Sequence, residues 1–162
     1  KKVMANLIEG TPGCFGGPGN RLFLFEREKI FDHEAPVIRL PNGYPLVYPE
    51  LRYEEESKFG LSTCYTQMDK GKQARKYFAY NSLCNNLIQG TAFAIMWWQA
   101  LNINREYPVR VNIHDSWGIV VPESEAEKAK AYMIKCMTEL PKWADGLPIA
   151  CECEIGKNFK VV

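Results

Sequence analysis

The chain has 162 residues, 46% hydrophobic and 24% charged, enough for a buried core and unlike a disordered or fibrous composition. A net charge of +1 excludes a basic nucleic-acid arm, so any nucleic-acid contact must be local. No apolar run reaches the ~18 residues a membrane helix needs and no signal-peptide pattern opens the chain, which predicts no membrane span.

In chain order, residues 1 to about 60 read as irregular and strand-rich. Gly10-Thr11-Pro12-Gly13 and Gly16-Gly17-Pro18-Gly19-Asn20 exclude helix, because Gly and Pro break it. Leu22-Phe23-Leu24-Phe25 is a predicted strand. Val37 to Leu40, the link Pro41-Asn42-Gly43 and Leu46 to Tyr48 read as a hairpin, since Asn and Gly tolerate positive φ. From about Lys72 to Asn102 the pattern turns helical: Ile88, Ala92, Ile95, Met96 and Gln99 recur at spacings of three and four, with Phe78, Leu83, Leu87 and Trp98 on neighbouring faces.

Apolar runs Val109 to Ile113 and Trp117 to Val121 then flank His114-Asp115-Ser116, which predicts two antiparallel strands joined by a polar tip. Ser124-Glu125-Ala126-Glu127 matches a capping box. Behind it, Ala126, Ala129, Met133, Cys136, Met137 and Leu140 form one apolar stripe closed by Pro141. Ile149, Cys151, Cys153 and Ile155 alternate with polar or small residues as a final strand. Helix, hairpin, helix and strand over one small sheet define an α+β layer. The six cysteines form no C-x-x-C pair and only two histidines accompany them, which points to reduced thiols rather than disulfides or zinc.

Three groups of residues could carry chemistry. A hairpin-tip Asp is ordinarily a turn former, but Asp115 adjoins His114 and follows an amide-bearing helix. A carboxylate on a rigid hairpin is what Mg²⁺ accepts as a ligand. Asn81, Asn85 and Gln89, spaced by four, share one helical face; as a solvated stripe they need no function. Gly90 directly after them suggests a close approach, and amide donors can probe the minor-groove acceptors that every correct base pair presents. Lys70, Lys72, Arg75 and Lys76 form a short basic run at the expected helix start, a solvated face or a contact to a few phosphates.

The helix reading Asn85-x3-Gln89-Gly90-Thr91-Ala92 followed by the His114-Asp115 hairpin resembles the palm of family A (polymerase-I-type) DNA polymerases. Leu40-Pro41-Asn42-Gly43-Tyr44-Pro45-Leu46-Val47-Tyr48-Pro49 and Trp143-Ala144-Asp145-Gly146-Leu147-Pro148 are similar to segments of phage members, so the resemblance runs from about residue 37 to 159. It implies a palm segment over residues 61–162, with a strand-rich fingers or connector remnant over residues 1–60. It also implies a nucleotidyltransferase using two Mg²⁺ ions about 3.5–4 Å apart. In it Asp115 is a catalytic metal ligand and His114 touches the primer terminus. Asn85 and Gln89 meet the minor groove.

Two positions depart from the pattern. Ser116 stands where the family has Glu, and Asn81 where it has Arg. Arg75 or Lys76, one to two turns earlier on the expected helix, is the candidate replacement charge. The first carboxylate motif (DxSxxELR-like) and the cationic fingers helix are not found; Asp32-His33-Glu34 and Glu54-Glu55-Glu56 lack the context. With Lys1 in place of an initiator Met, the chain is read as a split, trimmed or processed part of a DNA polymerase, cytoplasmic in the host if phage-encoded. Its expected partners are primer–template DNA, dNTP and an N-terminal half supplying the missing motifs. Alternative readings are a non-catalytic DNA-binding remnant, a small nuclease pairing Asp115 with Glu152 or Glu154, and a plain interaction domain.

Overall fold

A computed structural model of the chain describes residues 2–16, 22–30, 32–56, 60–77 and 80–158. The expected loop at Gly17 to Asn20 and the apolar Phe78 lie outside the described residues. The protein is mixed α+β with small antiparallel sheets, and it divides into two compact units, Lys1–Thr91 and Ala92–Val162.

The first unit opens on a helix, α1 (Lys2–Glu9), where an irregular segment was expected. Met4 and Leu7, three apart, are its buried residues, so tertiary burial rather than length sustains it. Gly10 at φ +76 ends it, in the left-handed region that favours glycine. Strands β1 (Gly13–Phe15), β2 (Phe23–Ile30), β3 (His33–Arg39) and β4 (Pro45–Val47) follow as one antiparallel sheet in sequence order. The β3–β4 hairpin is the one expected from Pro41-Asn42-Gly43, with Val37 opposite Val47 and Gly43 at φ +83. The Oδ1 of Asn42 accepts from the Tyr44 amide at 3.1 Å, which closes the turn locally.

Residues 72 to 77 are strand, not helix. Strands β5 (Arg52–Glu56), β6 (Gly60–Asp69) and β7 (Lys72–Tyr77) form a second antiparallel sheet, so the long helix α2 (Tyr80–Ile103) begins eight residues later than its pattern suggested. The reason is competition: Gln73, Ala74, Arg75 and Lys76 are good helix formers, but a full ladder against β6, from Cys64↔Tyr77 to Asp69↔Lys72, outweighs that weak preference. The unit's core gathers Met4, Leu7, Phe25, Ile38, Leu40, Tyr48, Leu51, Leu83 and Leu87. Leu83 and Leu87, one helical turn apart, pin the first half of α2 to it.

The second unit holds the rest of α2, the hairpin β8 (Val109–Ile113) and β9 (Ser116–Ile119), and helix α3 (Ala126–Thr138). Its core is Ile103, Met133 and Cys136, with Val109, Trp117, Ile119, Tyr132, Met137 and Cys153 packed against it. Two local expectations fail here. Glu125, not Ser124, is the N-cap of α3, and no side chain caps it; a 3₁₀ turn over Glu123–Glu125 leads in instead. Residues 147–156 contain no strand among the described residues, although Cys151 and Cys153 are half-buried and Ala150, Glu152 and Glu154 exposed, as an extended chain on an apolar surface requires. Alternation is present but a ladder partner is not, and strand structure needs both.

The second unit is also held by specific polar contacts. Gln99, almost fully buried, donates its amide to the carbonyls of Met137 (2.8 Å) and Glu139 (3.3 Å), satisfying the end of α3. The Tyr132 hydroxyl donates to the Asn102 carbonyl at 3.0 Å, and Asn104 Oδ1 accepts from the Val109 amide at 3.2 Å where the hairpin begins. All six cysteines are free thiols, and Cys64 and Cys136 are buried. Among the described residues no helix is long and apolar enough to cross a membrane.

Candidate functional site

The hairpin tip stands as expected. His114 and Asp115 form the two-residue link between β8 and β9, both exposed, and Ser116 opens β9 opposite Ile113. His114 adopts φ +50, a left-handed conformation unfavourable for a residue with a Cβ. The Asn112 side-chain amide donates to the Ser116 carbonyl at 3.4 Å across the base of the turn. Below the tip, Trp117 meets Trp97 of α2 edge-to-face with centroids 5.5 Å apart, and Trp97 in turn meets Phe93 at 5.8 Å. The Trp117 Nε1 is buried without a hydrogen-bond partner among the described residues, a desolvation penalty of about 1–3 kcal/mol that the ring packing must offset.

Chemically the tip presents one carboxylate, one imidazole and one hydroxyl to solvent. A hard dication prefers several oxygen ligands. No group of three or more His, Cys, Asp or Glu side chains stands ready to hold a metal among the described residues. Asp115 offers one such oxygen ligand at the tip. Glu152 and Glu154, the partners a self-contained nuclease would use, are exposed in the extended segment after α3.

On α2, Asn81, Asn85 and Gln89 all sit on exposed positions, and no side-chain hydrogen bond ties them to other described residues. Their neighbour Asn86 is different: its Nδ2 donates to the Tyr48 hydroxyl at 3.3 Å, and burial, eased by that bond, raises the Tyr48 pKa. The close approach expected at Gly90 exists and is internal. A Cβ there would lie 3.0 Å from Leu40 Cδ1 and 3.6 Å from Leu46 Cδ2, so Gly90 admits the β3–β4 hairpin. Thr91 returns its hydroxyl to the Leu87 carbonyl at 2.7 Å.

Arg75 and Lys76 lie on β7 rather than one or two turns back along a helix, which corrects their expected placement. Both are exposed; the Arg75 guanidinium is paired with Glu54 at 2.8 Å, and Lys76 lies opposite Tyr65. Glu54 is the hub of a network that motif reading passed over. It accepts from the Cys64 thiol at 3.1 Å and the Tyr77 hydroxyl at 3.4 Å, with Arg52 at 3.8 Å. The thiol bond foremost, then the Arg75 and Arg52 charges, hold the Glu54 carboxyl below the usual range; desolvation partly opposes them. Burial, reinforced by donation to Glu54, pushes the Cys64 thiol up and keeps it unreactive. Pairing of Arg52 with Cys64 and of Cys64 with Tyr77 places these groups on one sheet face, a relation visible only once the register is known.

Compared with protein families, curated proteins and solved structures, the chain matches none.

Proposed function

We propose that this chain is the C-terminal palm segment of a family A-type DNA polymerase, acting as one part of a longer or split enzyme. One observation carries the reading: His114 and Asp115 together fill an exposed two-residue turn, where a carboxylate is free to take a ligand. The exposed Asn85 and Gln89 beside Gly90-Thr91-Ala92 support it, because this is the residue set the resemblance assigns to the minor groove. In this reading Asp115 holds Mg²⁺, whose charge would stabilise the oxygens of nucleotidyl transfer. The chain's own contributions are binding and placement: Asp115 supplies one anionic ligand, His114 meets the primer end, and Asn85 and Gln89 test the terminal pair. Ser116 adds a hydroxyl where the family carries a charge. The first carboxylate motif and the cationic fingers come from a partner.

The test is reconstitution. The chain is co-expressed with an N-terminal polymerase half carrying those two elements, and Mg²⁺-dependent primer extension is measured. The pair should extend a primed template, the chain alone should not, and Asp115→Asn should abolish extension while retaining DNA binding. Extension by that variant within a few-fold of the parent removes the catalytic assignment.

A further inference from the structure

We infer that Trp97 is the positioning residue of the His114–Asp115 tip, acting through Trp117. A two-stranded hairpin standing alone is marginal, so its orientation comes from what it packs on. Three hairpin residues pack on the Ile103–Met133–Cys136 cluster: Val109, Ile119 and Trp117. Val109 and Ile119 face each other at the end of the ladder far from the turn. Trp117, next to Ser116 and opposite Asn112, is the anchor nearest the tip. Its ring partner is Trp97, at 5.5 Å with planes 68° apart.

The edge-to-face geometry matters because it fixes rotation as well as distance, which shapeless apolar packing does not. Trp97 is 46% exposed and Phe93 60%, so the pair does not merely fill the core. The buried Trp117 Nε1 lacks an acceptor among the described residues, so packing, not hydrogen bonding, holds the ring in place. With His114 at φ +50 the turn has little freedom of its own, and any tilt of Trp117 reaches the Asp115 carboxylate two residues away. A ligand displaced by about 1 Å can lower a rate by as much as 10²-fold, so a modest tilt is enough to matter.

The catalytic consequence rests on the polymerase reading, and the geometric one does not, so two measurements separate them. In the free chain, Trp97→Ala should raise the mobility of the His114, Asp115 and Ser116 amides, read by ¹⁵N relaxation, while the α3 amides keep their order. Trp97→Phe, which retains a ring edge, should keep the tip ordered. In the reconstituted enzyme Trp97→Ala should lower kcat roughly tenfold with KM for primer–template unchanged, and Trp97→Phe should restore it to within about threefold. Should Trp97→Ala unfold the unit, Trp97→Leu carries the same comparison against Trp97→Phe. A tip equally ordered in Trp97→Ala, or equally loosened by Trp97→Phe, overturns the inference. A tip that loosens as expected in an enzyme indifferent to Asp115→Asn removes the polymerase reading and leaves the positioning intact.

Discussion

Two hairpins of this protein each turn through a two-residue link and differ in what holds them. The β6–β7 hairpin turns at Lys70 (φ +48) and Gly71 (φ +78), so a glycine takes one of its two left-handed positions. The β8–β9 hairpin turns at His114 and Asp115 with no glycine at all. A non-glycine at positive φ is thus not by itself a mark of function here, since Lys70 has one too. What distinguishes the second tip is its anchorage. The first hairpin is held away from its turn, by the polar network joining Glu54 to Cys64, Arg75 and Tyr77, and its β7 side chains are mostly exposed; the second has Trp117 on Trp97 and an apolar cluster beside its tip. A tip meant to place a carboxylate needs the second kind of support, because surface ion pairs hold long side chains only loosely.

The largest effect that tests this contrast is a pair of charge removals. Asp115→Asn and Asp69→Asn each neutralise an exposed carboxylate beside a hairpin turn. In the reconstituted enzyme the first should reduce extension by at least about 10²-fold, roughly 2.7 kcal/mol in barrier, and the second by less than about twofold. Equal effects would mean that the two tips do not differ in function, and single-turnover extension is the measurement.

The reach of the sequence differs between the same two regions, for a physical reason. The β8–β9 hairpin, the apolar stripe of α3 and the β3–β4 turn are legible because each is encoded locally, by alternation, by three-and-four spacing or by Asn-Gly. The β6–β7 hairpin is not: Gln73-Ala74-Arg75-Lys76 favours helix on its own, and only pairing with Thr66 and Gln67 and the Glu54–Arg75 contact make it strand. β5 is illegible likewise, since Glu54 and Glu55 are poor strand formers, and Arg75, which meets Glu54 from β7, lies two strands across the sheet. Exposure of Asn81, Asn85 and Gln89 follows from helical spacing, whereas Gly90's purpose does not. Its neighbour Leu40 lies 50 positions away in the chain, and no local pattern records that contact.

A pH titration should separate the two anchors with an intermediate effect. Glu54 has a folded pKa below its unfolded value, so its contribution is present above the unfolded value and is lost as pH falls through the folded one. The ordinary glutamate value is about 4.3, so the loss begins near there and completes below it. Amides of β6 and β7 should therefore lose exchange protection in that window, while those of β8 and β9 keep theirs. Glu54→Gln should weaken β6–β7 protection at neutral pH and flatten its pH dependence. Protection falling in parallel in both hairpins would show that the anchors do not differ as argued.

The smallest effect comes from relieving both turns. A left-handed residue bearing a Cβ costs about 1–2 kcal/mol, and glycine removes that cost while adding about 0.5–1 kcal/mol of unfolded-chain entropy. Lys70→Gly and His114→Gly should each therefore raise stability slightly, by up to about 1 kcal/mol, as measured by urea unfolding. Their consequences for extension should diverge. Lys70 has no role in the proposed chemistry, so its replacement should leave the reconstituted enzyme unchanged. His114 meets the primer end in that proposal, so its replacement should slow extension by about tenfold even as the chain becomes more stable. A residue that weakens the fold and strengthens the activity is the signature of strain kept for function. If both variants gain stability and neither loses activity, His114 is a turn residue like Lys70, and the proposed site reduces to Asp115.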